Sequence, residues 1–314
     1  MKKLVSLIVG CGLLSMLISG CASDSPEASA PSKPQSTLRI ATWNIEHLAQ
    51  FDGQGCLPRT EADYQTLRAF AKTIDADVVA LQEVDNAQAM QRVFPANEWN
   101  IAFSGRADTG SYDCNANPGQ RSTQQKVGFA IRKGVNYTYQ SADNLTELEL
   151  DGNGLRHGVV LTLTDFSPAV EVMTVHMKSG CFVADYLTSD RYACHQLALQ
   201  APFLKNWMEQ RLNNKTPFIV LGDFNHQLAN NGNVLWQQIH SLNGSGNRVE
   251  NLTDILGCHP RYPNPIDHIL ASSDVAQAYV EGSAFSHGFG YAQGDLKEED
   301  MLSDHCPVSV DLRL

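Results

Sequence analysis

Six short polar clusters, each next to an apolar run, hold the residues whose types and spacing could do chemistry: WNIE at 43–46, QE at 82–83, His176, GDFN at 222–225, DH at 267–268 and SDH at 303–305. Carboxylates and carboxamides are hard oxygen ligands for a divalent cation, and imidazoles move protons near neutral pH. Together they suit metal-assisted hydrolysis of a phosphate ester. Asn44 and Glu46 are two residues apart, so on a continuing strand they point the same way and offer one neutral and one charged oxygen. Glu83 closes a run of apolar residues, where a carboxylate has to be paired or to coordinate a cation. In GDFN, Gly222 relaxes the backbone, Asp223 and Asn225 share a side, and Phe224 points into the core. A carboxylate that takes a proton from water beside a carboxamide that holds an oxyanion is half of a hydrolytic site. Asp267 with the Asp304-His305 pair completes it, because an aspartate bonded to an imidazole keeps the ring oriented and protonated. His268 is expected to face away.

Other chemistries lack their signatures. No GxSxG elbow is present for a serine nucleophile, and neither a Walker-type nor a dinucleotide glycine pattern occurs.

These clusters need strands to carry them. Val78-Val79-Ala80-Leu81 and Phe218-Ile219-Val220-Leu221 read as buried strands that deliver their polar successors to one sheet edge. Further strands are expected at 38–44, 99–103, 127–131, 159–163, 170–175, 266–270 and 307–312, with Pro307 tolerable only at a strand start. Helices are expected after Thr60, at 87–93 and at 192–212, the last with Leu197, Leu199, Phe203, Leu204, Trp207 and Met208 available for burial. Strands outnumber helices and several connections are too short for crossovers, which argues for two packed mixed sheets with helices outside.

The ordered series WNIE, LQEVD, TVHMKSG, LGDFNH, IDHIL and LSDHCPV resembles the endonuclease/exonuclease/phosphatase superfamily, the DNase I-like fold, over about residues 38–314. The resemblance implies a four-layered α/β/β/α sandwich of two mixed sheets with outer helices, and phosphoester hydrolysis dependent on Mg²⁺, with Mn²⁺ or Ca²⁺ as alternatives. By the same resemblance Glu83 is the principal metal ligand, Asn44 and Asp304 lie close to the metal, and Glu46 is a second acidic group. Asp223 resembles the residue that orients or deprotonates the attacking water, with Asn225 beside the phosphate. His176 and His305 resemble the two histidines that flank the scissile phosphate, with Asp267 supporting His305; whether Asp223 or a histidine is the base stays open. Two segments depart from the nuclease pattern. Gln124-Gln125-Lys126 stands where a glutamate partner of His176 is expected. Leu155-Arg156-His157-Gly158 resembles a phosphate-contacting segment with Gly158 in place of proline, and Arg156 is the substrate-binding candidate.

The N-terminus reads as an export leader over residues 1–20, with Lys2 and Lys3 before an apolar stretch shorter than the ~20 residues of a membrane span. Ile18-Ser19-Gly20-Cys21 resembles a lipobox, which makes Cys21 the lipidation candidate and, in a Gram-negative cell, the outer membrane the expected location. Residues 21–37, rich in Ser, Ala and Pro, read as a tether, and 38–314 as one catalytic domain. The formal charge of −11 suits a polyanion binder poorly, but a metal site is itself acidic and its cation inverts the local field, so charge does not exclude nucleic acid. Beyond Cys11 and Cys21, six cysteines remain; in an exported protein they suggest disulfides rather than zinc, for which no CxxC spacing exists. Short separation pairs Cys181 with Cys194; the remaining four allow three pairings, of which Cys56 with Cys114 and Cys258 with Cys306 is the expected one.

The sequence is thus read as an exported, lipid-anchored phosphodiester hydrolase, monomeric and without a protein partner, with DNA as leading substrate through loops around Arg106, Arg121, Lys126, Arg156 and Lys178. Rival readings are a lipid-headgroup phosphodiesterase (for which Phe285, Phe289 and Tyr291 would form an exposed aromatic hairpin), an inositol-phosphate phosphatase, and a catalytically silent binding lipoprotein.

Overall fold

The computed structural model describes residues 31–34, 36–150, 152, 154–291 and 295–314. The leader, Cys21 and most of the tether lie outside the described residues. The tether's last residues lie against the domain: Lys33 pairs with Asp77 at 2.9 Å, and Pro31 O accepts from Arg39 at 2.7 Å.

In chain order the elements are β1 (Thr37–Leu48), α1 (Glu61–Ile74), β2 (Val78–Val84), α2 (Ala87–Val93), β3 (Trp99–Phe103), β4 (Lys126–Arg132), β5 (Tyr137–Tyr139), β6 (Val159–Leu163) and β7 (Val170–His176), then α3 (Tyr192–Asn214), β8 (Phe218–Asp223), α4 (Val234–His240), β9 (Asn243–Gly244), β10 (Asn247–Asn251), β11 (Asp267–Ser272), α5 (Ser273–Ala276), β12 (Phe285–Ser286) and β13 (Val308–Arg313). One sheet has the order β12-β13-β1-β2-β4-β3 and the other β5-β6-β7-β8-β11-β10-β9. Both are mixed, with parallel β1–β2 and β7–β8 pairs among antiparallel ones.

Strand alternation explains the layers. Ile40, Val78, Ala80, Ile219, Leu221 and Ile269 fill the core between the sheets. Their neighbours Ala41, Trp43, Val79 and Leu81 face outward onto α1 and α2, while Phe218 and Val220 face α3 and α4. The result is the four-layered α/β/β/α sandwich. Asp63 accepts from the backbone of Thr60 at 2.7 Å and so caps α1. On α3, Leu197, Leu204, Trp207 and Met208 are buried, but Leu199 and Phe203 are exposed, because they lie off the stripe that faces β7 and β8.

The short elements β5, β9, β10, β12, α4 and α5, two to seven residues long, were not expected from the sequence. All three expected cysteine pairs form disulfides. Each staples a loop that borders the polar end of the sandwich described next.

Candidate active site

Along each central strand the row of residues facing the inter-sheet core continues past its last apolar member. On β1 the row runs Leu38, Ile40, Thr42, Asn44; on β7 it runs Val170, Val172, Thr174, His176. On β8 it runs Ile219, Leu221, Asp223, and on β11 Ala271, Ile269, Asp267. The registers His176↔Asp223 and Asp223↔Asp267 set these side chains abreast. A buried polar rung lies just beneath: Gln82 Nε2 donates to Thr42 at 3.1 Å and to Thr174 across the sheets at 3.0 Å.

Glu83 breaks the alternation. By parity it would face the helices, but its φ of 60° and a register shift between Leu81 and Val84 turn it to the cleft. Glu46, His47 and Asn225 also take left-handed backbone conformations. Such conformations cost about 1–3 kcal/mol each for residues with a side chain and gather where function fixes geometry.

Asn44 Nδ2 donates to Asp223 Oδ2 at 3.0 Å and reaches Glu83 Oε1 at 3.4 Å. Asn225 donates to Asp223 through its backbone at 2.7 Å and its side chain at 3.0 Å, and to Met177 O at 3.2 Å. Burial raises the Asp223 carboxyl to about 7, with Asp267 adding to the shift against His305 and these donors. His305 Nδ1 lies 2.7 Å from Asp267 Oδ2, and its Nε2 lies 3.8 Å from Asp223 Oδ2. Burial works against a charged ring there, yet Asp267 and Asp223 hold the imidazolium well above the ordinary histidine range. His176 is the opposite case: burial, then Arg156 and His305, push it well below that range. Its Nε2 faces Asp223 at 3.4 Å and Glu83 at 3.9 Å, while its Nδ1 is buried without a partner. The glutamate expected opposite His176 is thus missing, and Gln125 instead accepts from Arg156 at 3.0 Å and bonds Glu83.

A second acidic group stands beside these. Glu46 Oε2 accepts from Asp304 N at 2.9 Å. Burial, then Asp304 and Glu83, raise the Glu46 carboxyl; the protein groups crowded round Asp304, Glu83 among them, raise its carboxyl too, although its side chain is 59% exposed. Burial raises Glu83 too, but His47 and Arg156 reverse this and leave it lowered. Three carboxylates that oppose one another's ionisation, with Asn44 alongside, are a donor set that fits a hard divalent cation. Among the described residues, however, the one group of three or more acids and imidazoles whose ligand atoms all lie within 4.8 Å of one another is Asp223, Asp267 and His305.

Arg156 is buried rather than a solvated loop residue. Its charge lowers both Arg106 and Lys178, each of which burial lowers first. Arg106 also has Nε and Nη1 buried without partners. Lys126 and Arg121 are instead held by Asp108 and Asp113. His268 faces away, bonded to His226 O at 2.9 Å. Phe289 packs on Trp43 and Phe70, and Phe285 lies on His287, so of the suspected hairpin only Tyr291 is exposed.

Sequence reasoning missed several organisers. His47 donates its backbone N–H to Glu83 at 3.3 Å with its ring 3.7 Å away, and its position directly after Glu46 was a signal. Arg59 donates to the carbonyls of Glu46, Ile45 and Leu302 from a distant loop, which nothing in the sequence marks. Ser303 Oγ clamps Asn44 O at 2.6 Å.

No curated protein matches the sequence. Among solved structures the chain is similar to TDP2 from C. elegans (14% identity, 90% of this chain and 77% of that one, TM-score 0.55). It is likewise similar to the 3′-5′ exonuclease NExo from Neisseria meningitidis (14% identity, 88% and 100%, TM-score 0.55) and to the human Nocturnin catalytic domain (15% identity, 89% and 95%, TM-score 0.53). At these identities the likeness shows the fold. The family match itself spans residues 41–305, from the first core strand to His305 at the polar edge, and the chain belongs to the endonuclease/exonuclease/phosphatase family.

Proposed function

We propose that the protein is a divalent-metal-dependent phosphodiester hydrolase, an exported nuclease acting on DNA. The observation that carries the hydrolytic reading is the pairing of Asp223, raised to about 7, with a protonated His305 held by Asp267. Near neutral pH the Asp223 carboxylate accepts a proton from the attacking water. The His305 imidazolium, facing the same space, donates a hydrogen bond to a phosphoryl oxygen as charge develops there. His176, kept neutral by burial, presents Nε2 to that space. Asn44 and Asn225 hold Asp223 in place. Glu83, Asp304, Glu46 and Asn44 would hold Mg²⁺, Mn²⁺ or Ca²⁺, which when bound polarises a phosphoryl oxygen and offsets charge on the leaving group.

DNA is favoured over lipid by the three cations Arg106, Arg156 and Lys178. Arg156 repels the other two, and among the described residues none of the three has a carboxylate as a hydrogen-bond partner, an arrangement that suits successive phosphates. Two relatives of the same fold, NExo and the endonuclease domain of the retrotransposon TRAS1, are nucleases by description. The aromatic hairpin that would have favoured lipid is mostly packed on the core. Export agrees with three disulfides, and Cys21 is the proposed lipid attachment point.

The test is hydrolysis of plasmid DNA, sphingomyelin and an inositol phosphate by the full chain, with Mg²⁺, Ca²⁺ or EDTA. Metal-dependent nicking that disappears in Asp223→Ala is expected. Intact plasmid with headgroup or phosphate release would move the protein to the lipid or inositol branch, and silence on all three to a binding role. Cys21→Ala should shift the protein from the membrane to the soluble fraction.

A further inference from the structure

A cavity of about 530 Å³ opens beside His305, and Asp267 and Asp304 share that wall. Its other walls come from the loop after β7, through Phe182, and from the loop before β11, through His259 and Tyr262. Phe182 is 70% and Tyr262 61% exposed, so the cavity presents open aromatic faces. The Tyr262 ring lies against His259 with centroids 4.8 Å apart, and His259 Nδ1 accepts the backbone N–H groups of Arg261 and Tyr262 at 3.1 and 3.2 Å. Gly257 N donates to Pro263 O at 2.8 Å, and Cys258 is bonded to Cys306, the residue after His305. Likewise Phe182 follows Cys181, which is bonded to Cys194 on α3. Disulfides therefore tether both aromatic loops to the body of the domain, one to α3 and the other at the residue after His305.

The charge distribution around the centre is lopsided. Among the described residues no Lys or Arg lines this cavity. Arg261, next to Tyr262, is held by Glu298. The crowded cations Arg106 and Arg156 belong to the β4–β6 side of the sandwich, where Gln124 and Gln125 receive them, whereas the cavity belongs to the β11–β13 side. One side of the catalytic centre thus suits phosphates and the other suits a flat, uncharged ring with polar edges, for which the carboxamides of Gln227 and Asn264 in the same wall offer donors and acceptors.

We propose that this cavity receives an unpaired nucleobase flanking the scissile phosphate, with Phe182 and Tyr262 as stacking surfaces, so that the enzyme acts on single-stranded or frayed strands in preference to continuous duplex. This rests on the phosphodiesterase reading above and adds the specificity of that site. A base that is paired and stacked in a helix has to leave it to enter a concave pocket, a cost that an already unpaired base does not incur. Stacking on an aromatic side chain tolerates any base, because every base has a π-face.

The test compares the full chain with Phe182→Ala and Tyr262→Ala on four substrates: a single-stranded oligonucleotide, the same strand in perfect duplex, the same strand with an abasic residue next to the single cleavable linkage, and methyl p-nitrophenyl phosphate, a diester without a base. The wild type is expected to favour the single strand over duplex and over the abasic strand by about tenfold or more in kcat/KM. Each variant should lose about tenfold on the single strand and little on the abasic strand or the small diester. In EDTA, where no turnover occurs, 2-aminopurine at the flanking position should lose fluorescence on binding the wild type, and less so with either variant. Equal rates on the base-bearing and abasic strands, or unchanged single-strand cleavage by both variants, would overturn the pocket assignment while hydrolysis of the small diester upheld the phosphodiesterase reading. Cleavage of the small diester with every oligonucleotide intact would also overturn it, whereas failure on all four would bring down the underlying reading itself.

Discussion

Asn44 ties the acids of the two sheets together, its single Nδ2 lying 3.4 Å from Glu83 Oε1 on one sheet and 3.0 Å from Asp223 Oδ2 on the other. The bond to Asp223 favours the ionised carboxylate, so its loss leaves burial less opposed. In Asn44→Ala the acidic limb of the pH–rate profile should move upward, and activity at pH 7 should fall about tenfold or more. A limb at the wild-type position would show that Asn44 has no hold on Asp223.

Asp223 itself sets a second expectation. With its carboxyl raised to about 7, the base is protonated in acid, so kcat/KM should fall about tenfold per pH unit below 7 and level off above it. The same shift has a stability sign. A raised native value means that the folded state binds the proton more tightly than the unfolded one. Its contribution to stability is complete below about 4 and is lost as pH rises through 7. Asp223→Asn does not titrate and should escape that loss. In EDTA, its Tm relative to wild type should therefore climb between pH 5 and pH 8 while activity is abolished. A Tm difference independent of pH would refute the raised carboxyl.

The imidazolium of His305 depends on Asp267 at 2.7 Å. Removing that charge in Asp267→Asn leaves burial to push the ring down, so it loses its proton at lower pH. The alkaline limb of the pH profile should shift to lower pH, and kcat should drop roughly 100-fold at pH 8, the scale of one acid–base group. NMR titration of the His305 ring in the variant reads the shift directly.

Glu46 and Asp304 are both raised, Glu46 by burial and then by Asp304 and Glu83, and the more exposed Asp304 by the groups crowded round it, Glu83 among them. A cation bound among them favours the ionised forms, so binding has to release protons. Calorimetric titration with Mg²⁺ in buffers of different ionisation enthalpy should show net proton release that fades as the pH rises and the carboxyls ionise without the cation. Glu46→Gln should weaken binding and shrink that release. Equal heats in all buffers would count against these residues as the cation's ligands.

The polar edge of the sandwich was legible in the sequence because strand physics writes it twice. An apolar run marks the buried strand, and a polar successor of the right parity marks what the strand delivers, as in Ile219, Leu221, Asp223. Glu83 shows where parity fails. Its outward position is corrected by a left-handed backbone turn that no side-chain pattern encodes. Arg59 reaches Leu302 across 243 residues and Arg156 reaches Gln125 across 31, and such contacts leave no local periodicity. The aromatic walls were invisible for a related reason. Phe182 and Tyr262 each sit in an irregular loop, and only the fold shows that both loops border His305.

Gly222 is the residue on which the placing of His176 and Asp223 turns. Its φ of 144° is one that residues with a side chain rarely adopt, and a Cβ there would lie 2.0 Å from Val175 O, on the strand paired in register with it. No rotamer relieves a clash with backbone, so β7 and β8 would have to separate just where they present His176 and Asp223. Gly222→Ala should therefore destabilise the protein by about 3 kcal/mol or more and reduce activity more than a stability loss alone explains. Partial rescue of Tm by a stabilising substitution elsewhere should leave activity low, because the displaced pair remains. Wild-type activity in a folded Gly222→Ala protein would mean that the close approach of the two strands does not set the geometry of the site.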